Sequence, residues 1–463
     1  MTPPRNSSAT RDIATAMHPY TDARAHEANG PMIITRGEGV RVWDDQGRSY
    51  IDTVAGLWCA ALGFSNERLV QAATAQMRKL PFYHAFTSKS HEPLIDLSEM
   101  LVERAPVPMS KAFFCNSGSE ANDTAVKMIW YYNNAVGRPQ KKKIISRVKG
   151  YHGVTVASAS LTGLPANHKL FDLPIAGVFH TTTPHYYHEG RPGESEEEFA
   201  TRCASDLEEL ILREGPETVA AMFMEPVMGA GGVIVPPKTY YEKIQAVLKK
   251  YDVLIVADEV ICGFGRTGEY WGCTTFGIEP DILTCAKALS SSFLPISGVL
   301  VNDKVYQGLA DGSHTIGTFG HGYTYSGHPV SAAVAVETLK IYDEMDIVGH
   351  VKKVAPLMQA GIQKLASHPL VGDARGVGLI GAIELVEDKA AKKNFDPARK
   401  IAARAQKLCE AEGLIMRILP GDGIAFSPPL VINEEEVALM MNGVTNALDK
   451  LAVELRREGF TVV

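Results

Sequence analysis

Hydrophobic positions follow two rhythms along this chain. Short runs that are apolar at nearly every position recur at residues 112–115, 219–224, 253–257 and 282–286, and residues 143–148 read as a further strand. Runs of this length, apolar on both faces, predict strands buried inside a parallel sheet. Longer stretches between them carry apolar residues three and four apart, as at Leu69, Ala72, Ala73 and Met77. That spacing predicts amphipathic helices. Helices expected at 66–80 and 91–105 lead into the large domain, and helices from about 117 to 134 and at 238–251 alternate with the strands from about Phe113 to Val301. The expected fold is therefore α/β, a large domain whose mostly parallel sheet is covered by helices and carries its site at the strand ends.

The flanks read differently. Residues 1–18, rich in Pro, Ser, Thr and Arg, predict a loosely held arm. Val40 to Trp43 and Ser49 to Ile51 flank a turn containing Gly47, the pattern of a β-hairpin. A small-residue loop, residues 55–59, carries the single large aromatic Trp58, a residue type found more often in a core than in a pocket. Residues 183–200 form a polar, His- and Glu-rich excursion expected on the surface, without metal-ligand spacing. Residues 229–232 predict a tight loop and not a dinucleotide fingerprint. After a polar, aromatic stretch at 317–329, a helix is expected at 330–345. Strands at 378–385 and 414–418 and helices at 397–411 and 434–458 then predict a second apolar unit. The expected division is an N-terminal segment, 1–65, whose arm and hairpin belong with the small domain; a large domain, 66–329; and a smaller α+β domain, 330–463.

Composition narrows the functional classes. A chain of 463 residues exceeds one ordinary core, and 45% hydrophobic with 21% charged residues suits a soluble enzyme. The net charge of −7, with no long Lys/Arg block, argues against a nucleic-acid partner. No apolar run reaches membrane-spanning length, and residues 1–15 lack a signal-peptide pattern. Seven scattered cysteines without a C-x-x-C pair predict free thiols in a reducing, cytoplasmic setting. No metal site is expected.

Two strand ends carry the candidate chemistry. The run 253–257 ends at Asp258-Glu259, and the run 282–286 ends at Lys287, so an acid and an amine leave the sheet at one rim. A lysine at a low-dielectric rim loses its proton readily and can form a Schiff base with an aldehyde. The natural aldehyde is pyridoxal phosphate, whose ring nitrogen stays protonated against a carboxylate such as Asp258. These two residues alone leave open a plain alternative, a loop-capping acid and a solvated lysine. Ser117 with Glu120 reads as a capping box; the free N–H groups of Ser117, Gly118 and Ser119 equally make an anion seat suited to phosphate. Tyr151, in a glycine-bracketed loop with His152, is a candidate to stack on a planar ring. The 219–224 strand ends at Glu225.

Taken together, these stretches resemble the class III (fold type I) pyridoxal-phosphate aminotransferases over nearly the whole chain, and within them the bacterial ω-amine:pyruvate transaminases. The resemblance rests on Trp43-Asp44 with Gly47, Leu57-Trp58-Cys59, residues 116–120, 150–153 and 257–268, Ala286-Lys287, and residues 323–329. It implies that Lys287 forms the Schiff base and shuttles the proton, and that Asp258 pairs with the pyridine nitrogen. Val260 and Tyr151 would flank the ring. Ser117, Gly118 and Ser119 would seat the phosphate, joined by Thr324 from a neighbouring subunit, with Glu225 and His152 close behind. Arg417 matches a position where an arginine clamps a substrate carboxylate, and Trp58, Tyr20 and Phe86 look like pocket walls. The resemblance also implies a homodimer with shared sites, possibly paired into a tetramer, and a ping-pong transfer of an amino group from a primary amine to pyruvate. Alternative donors are taurine, β-alanine, 4-aminobutyrate or a diamine, with pyruvate or 2-oxoglutarate accepting. An aminomutase and a non-catalytic binding protein are the more distant alternatives. Ala288, where relatives often carry glycine, and Ser292-Phe293 depart from the family pattern and concern loop conformation.

Overall fold

The computed structural model describes residues 7–460. Its centre is a seven-stranded sheet in the order 111–115, 297–301, 282–285, 254–258, 219–224, 143–147, 178–181. Only Ser297–Val301 runs antiparallel to its neighbours. Val219–Met224 and Leu254–Asp258 are buried at every position, as strands covered on both faces must be. Helix Gly118–Ala135 buries Ala121, Ala125, Val126 and Ile129 against one face. Tyr240–Lys250 and Glu196–Glu214 pack on each other and join the core of the opposite face. The α/β expectation therefore holds, with a parallel-rich sheet.

Two smaller sheets flank it. The hairpin Arg41–Asp44 with Ser49–Asp52 forms as expected, with Gly47 at φ 78°. Ile34–Glu38 adds an edge strand on one side, and Leu414–Ile415 adds in parallel on the other. The third sheet runs 371–377, 380–385, 423–426, 417–419. The single strand expected at 414–418 is thus two strands in different sheets, with the buried Met416 at the break. An apolar run cannot reveal a change of sheet, because both halves bury the same kind of side chain.

Other elements differ from expectation too. Helices Asp303–Ile316 and Ile347–Leu365 and strands Val178–Thr181, Val371–Val377 and Gly423–Phe426 are additional to those the pattern predicts. Of the arm at 1–18, residues 1–6 lie outside the described part. Ser8–Thr15 is a helix, N-capped by Ser7, whose hydroxyl accepts from the Thr10 N–H at 3.1 Å. The 183–200 excursion is not purely surface: Thr183 and His185 are buried, and the four-residue turn Tyr186–Glu189 brings His188 onto the buried Glu384. The third sheet covers these residues, a contact that polar composition alone conceals.

Candidate active site

Strands Leu254–Asp258 and Ile282–Cys285 pair in parallel, with Asp258 opposite Thr284. Consecutive strand side chains point to opposite faces, which separates the acidic pair. Glu259 turns away, accepts from the Gly272 and Cys273 N–H groups at 3.0 and 2.6 Å, and is pushed by burial up to about 7. Asp258 faces the cavity side. Its Oδ2 accepts from Asn122 Nδ2 at 2.7 Å and bonds His152 Nδ1 at 2.8 Å, and its Oδ1 accepts from the Val260 N–H at 3.1 Å.

Lys287 opens a short 3₁₀ turn with φ 50°, an unusual left-handed conformation for a lysine that directs the residue off the strand end. Burial pushes its amine down from the usual lysine range, opposed mainly by the charge of Asp258. Both residues line a cavity of about 460 Å³.

Gly118 and Ser119 line the same cavity from the first turn of the Gly118–Ala135 helix. First-turn N–H groups have no intrahelical acceptor, and the helix dipole adds partial positive charge there. Ser117 caps the helix by accepting from the Glu120 N–H at 3.2 Å. The Glu120 carboxylate reaches back to Asn116, whose N–H it accepts at 2.7 Å, so the reciprocal half of the expected capping box falls one residue earlier. Ser117 itself is exposed and outside the cavity lining. A Cβ added at Gly118 would meet both Val260 methyls at 3.1 Å, so this wall closes tightly only with glycine.

Glu225 ties two cavity loops together. Its carboxylate accepts from the Tyr151 N–H at 3.0 Å and the Gly229 N–H at 2.9 Å, and burial raises its pKa. Tyr151 lines the cavity with its hydroxyl beside Tyr20 and Arg417, and burial holds that phenol well above its ordinary range. Asn122, at the hub, went unnoticed in the sequence. It donates to Asp258 and to the His152 carbonyl and accepts from Thr284 Oγ1 at 2.9 Å. Its only local signal was an amide on the mostly apolar buried face of a helix, a face that also carries Thr124 and Asn133.

The far end of the cavity is built from other material. Pro19, Tyr20, Leu57 and Trp58 come from the N-terminal segment, and Arg417 from an edge strand of the third sheet. Trp58 is both core and cavity wall, 2% exposed and packed with Val227, Ile261 and Leu419. Burial lowers the pKa of Arg417, its Nε is buried without a hydrogen-bond partner, and no carboxylate among the described residues pairs with it. Phe86 and Thr324 are not brought to this chain's cavity. Both are exposed, on loops that meet each other: Phe86 abuts Gly322, and Phe82 lies 5.9 Å from Tyr325, ring to ring.

The residues present fit pyridoxal phosphate. A carboxylate with unfilled acceptor capacity on Oδ1 faces the cavity, a deprotonation-prone amine stands beside it, and free N–H groups at a helix start suit a phosphate.

The class-III aminotransferase family model matches residues 23–448. An omega transaminase from Pseudomonas jessenii, solved in complex with PMP, shares 56% identity and superposes with a TM-score of 0.95 over 97% of this chain and 99% of its own. A transaminase solved with L-Ala shares 57% identity at a TM-score of 0.91, covering 92% and 100%. The mitochondrial gamma-aminobutyrate transaminase 1 of Solanum lycopersicum is 52% identical over 420 residues, 90% of this chain and 81% of that protein.

Proposed function

This chain belongs to the class-III aminotransferases, fold type I transaminases that use pyridoxal phosphate, and on that premise we propose that it moves the amino group of a primary amine or ω-amino acid to pyruvate. The products are an aldehyde or ketone and alanine, formed in two half-reactions that alternate in one cavity. Bound pyridoxal phosphate supplies an aldehyde that takes the amino group and a protonated ring that withdraws electrons from the substrate carbon.

The chain's own residues do the rest. Lys287 presents an amine whose pKa is lowered by burial, so at neutral pH it is a better base and nucleophile than a surface lysine. It tethers the cofactor and then carries the proton at Nζ. Asp258 holds a proton at the ring nitrogen, and His152 and Asn122 fix its carboxylate so that no reorganisation is needed. The Gly118 and Ser119 N–H groups seat the phosphate, with Ser117 at the helix start; Val260 and Tyr151 flank the ring, and Glu225 fixes the Tyr151 loop. Trp58 and Tyr20 offer an apolar wall to the amine's body.

The observation that carries the substrate reading is the unpaired guanidinium of Arg417 in the cavity that Lys287 lines. A half-buried cation with a buried, orphaned Nε is costly, and the carboxylate of a keto acid relieves it by a paired, charge-assisted contact. The exposure of Phe86 and Thr324, away from this chain's cavity, supports a homodimer in which each copy completes the other's site, with pairing into a tetramer as a further step. Seven free cysteines support a reducing, cytoplasmic setting; a central sheet drawn wholly from 66–329 supports that domain, and the pairing of Leu414–Ile415 with the hairpin supports grouping the 1–65 segment with the small domain, 330–463.

A second reading, with 4-aminobutyrate as donor, is favoured by the identity to the tomato enzyme, since Arg417 would equally receive that donor's carboxylate. One experiment tests both. Adding a primary amine to the cofactor-loaded protein should bleach its visible absorbance, and pyruvate should restore it. No bleaching with any amine or amino acid contradicts the reading. Restoration by 2-oxoglutarate alone, after 4-aminobutyrate alone, replaces the first reading with the second.

A further inference from the structure

Away from the active site, Asp12, His18 and His26 converge. Asp12 lies on helix Ser8–Thr15, His26 on helix Ala23–Asn29, and His18 on the link between them. His18 Nε2 lies 3.0 Å from both carboxylate oxygens of Asp12, and His26 Nε2 lies 2.9 Å from Oδ1. The ligand-capable atoms of all three lie within 4.8 Å of one another. We propose that Asp12, His18 and His26 form a site for a divalent cation of the zinc class, and that the bound ion fixes the N-terminal segment at the mouth of the active-site cavity.

Three features carry this. The first is the donor set. Zinc takes imidazole nitrogen and carboxylate oxygen at about 2.0–2.2 Å, which sets neighbouring ligand atoms of a tetrahedral site about 3.3 Å apart. The two histidine–carboxylate spacings are close to that value. Both rings turn the same nitrogen inward, so protons on Nδ1 leave two lone pairs and a carboxylate facing one point. The second is access. The side chains of His18, Asp12 and His26 are 34%, 22% and 10% exposed, so an ion enters from solvent and keeps water at its open position. The third is need. Helices Ser8–Thr15 and Ala23–Asn29 have no buried residue, and helices of eight and seven residues are marginal on their own. A three-point ionic cross-link supplies what apolar packing does not.

The consequence for the active site follows from chain order. His18 is joined directly to Pro19 and Tyr20, which line the cavity, and the Tyr20 hydroxyl accepts from Asn167 Nδ2 at 2.6 Å. An ion held by His18 fixes the point from which that wall is hung. The other histidine–carboxylate group of this kind among the described residues, His185, His188 and Glu384, is a poorer cation site. Arg375 pairs with Glu384, and Lys149 lies 3.3 Å from His185 Nδ1, so the positive charge there is already supplied.

The test uses cofactor-loaded protein stripped with a chelator, dialysed against micromolar zinc and analysed for bound metal. One equivalent per chain is expected. His26→Gln and His18→Gln should each weaken binding at least about tenfold, and His188→Gln should retain the equivalent. Trypsin gives a second measure: zinc should slow cleavage after Arg11 and Arg24 several-fold in the parent chain and leave the rate unchanged in His26→Gln. No retained zinc, zinc that survives both His18→Gln and His26→Gln, or zinc lost only with His188→Gln would each overturn the proposal. The triad would then be a hydrogen-bonded cluster and nothing more.

Discussion

At the Asp258–Lys287 end of the cavity the walls are strand ends and a helix start, and the carboxylates of Asp258 and Glu225 are held by fixed partners. Asp258 alone receives Asn122, His152 and the Val260 N–H. At the Trp58–Arg417 end the walls come from an N-terminal loop and an edge strand, and left-handed backbone is found here as it is at Lys287. Ala55, Gly56 and Trp58 all lie at positive φ, at 49°, 66° and 66°, and Arg417 keeps an orphaned Nε. Left-handed backbone costs an L-residue about 1–2 kcal/mol, and an unpaired buried donor about 1–3 kcal/mol. One half is preorganised for a single task. The other holds an unmet charge that a substrate can relieve, which is where specificity is adjustable.

That contrast can be broken by mutation. Lys287→Ala should lower kcat/KM by about 10⁴-fold or more, because it removes both nucleophile and proton carrier; a loss under about tenfold, in steady-state assays, would move the chemistry elsewhere. Asp258→Asn should cost about 10²–10³-fold in kcat, as loss of one preorganised charge does, with circular dichroism unchanged. Arg417→Ala should raise KM for pyruvate by about 10- to 100-fold, the worth of a charge-assisted pair of about 1.5–3 kcal/mol, and barely alter turnover of an uncharged amine. Equal loss for both substrates would mean that Arg417 shapes the cavity without reading charge.

Two smaller effects sharpen the difference between the halves. Burial lowers the pKa of Lys287 below 10.5, so its neutral amine is present at lower pH than in a free lysine. Capture of pyridoxal phosphate by the cofactor-free chain should therefore accelerate as pH rises and reach half its plateau below pH 10.5; stopped-flow absorbance measures this. Trp58→Gly should be less destabilising than Trp58→Ala by about 1 kcal/mol in chemical denaturation. Both lose the indole's packing, and only glycine tolerates φ 66° without strain. The reverse order would show the loop to be unstrained.

The same division explains what could be read from the residues alone. The Asp258 and Lys287 strands announce themselves, because a buried parallel strand is apolar throughout and its first polar residue marks the rim. Gly118 and Ser119 were legible for a similar reason, since a helix start has a local signature. Asn122 was not: its partners, Asp258, the His152 carbonyl and Thr284, stand far away in sequence. The split of the 414–418 run, the burial of His185 and the helix inside the N-terminal arm were equally hidden. The first two depend on which distant strand or side chain covers the segment, which local pattern does not encode; the arm helix buries no residue and so shows no apolar stripe to read. Arg417 was reached by family likeness; nothing in its own surroundings distinguishes it from a solvated strand arginine.

The account rests on Lys287 as the point of cofactor attachment. Borohydride reduction of the pyridoxal-phosphate-loaded protein, followed by peptide mapping, tests this most directly. A single stable adduct on Lys287, missing from Lys287→Ala, is the expected result; an adduct on any other lysine, or none, contradicts it.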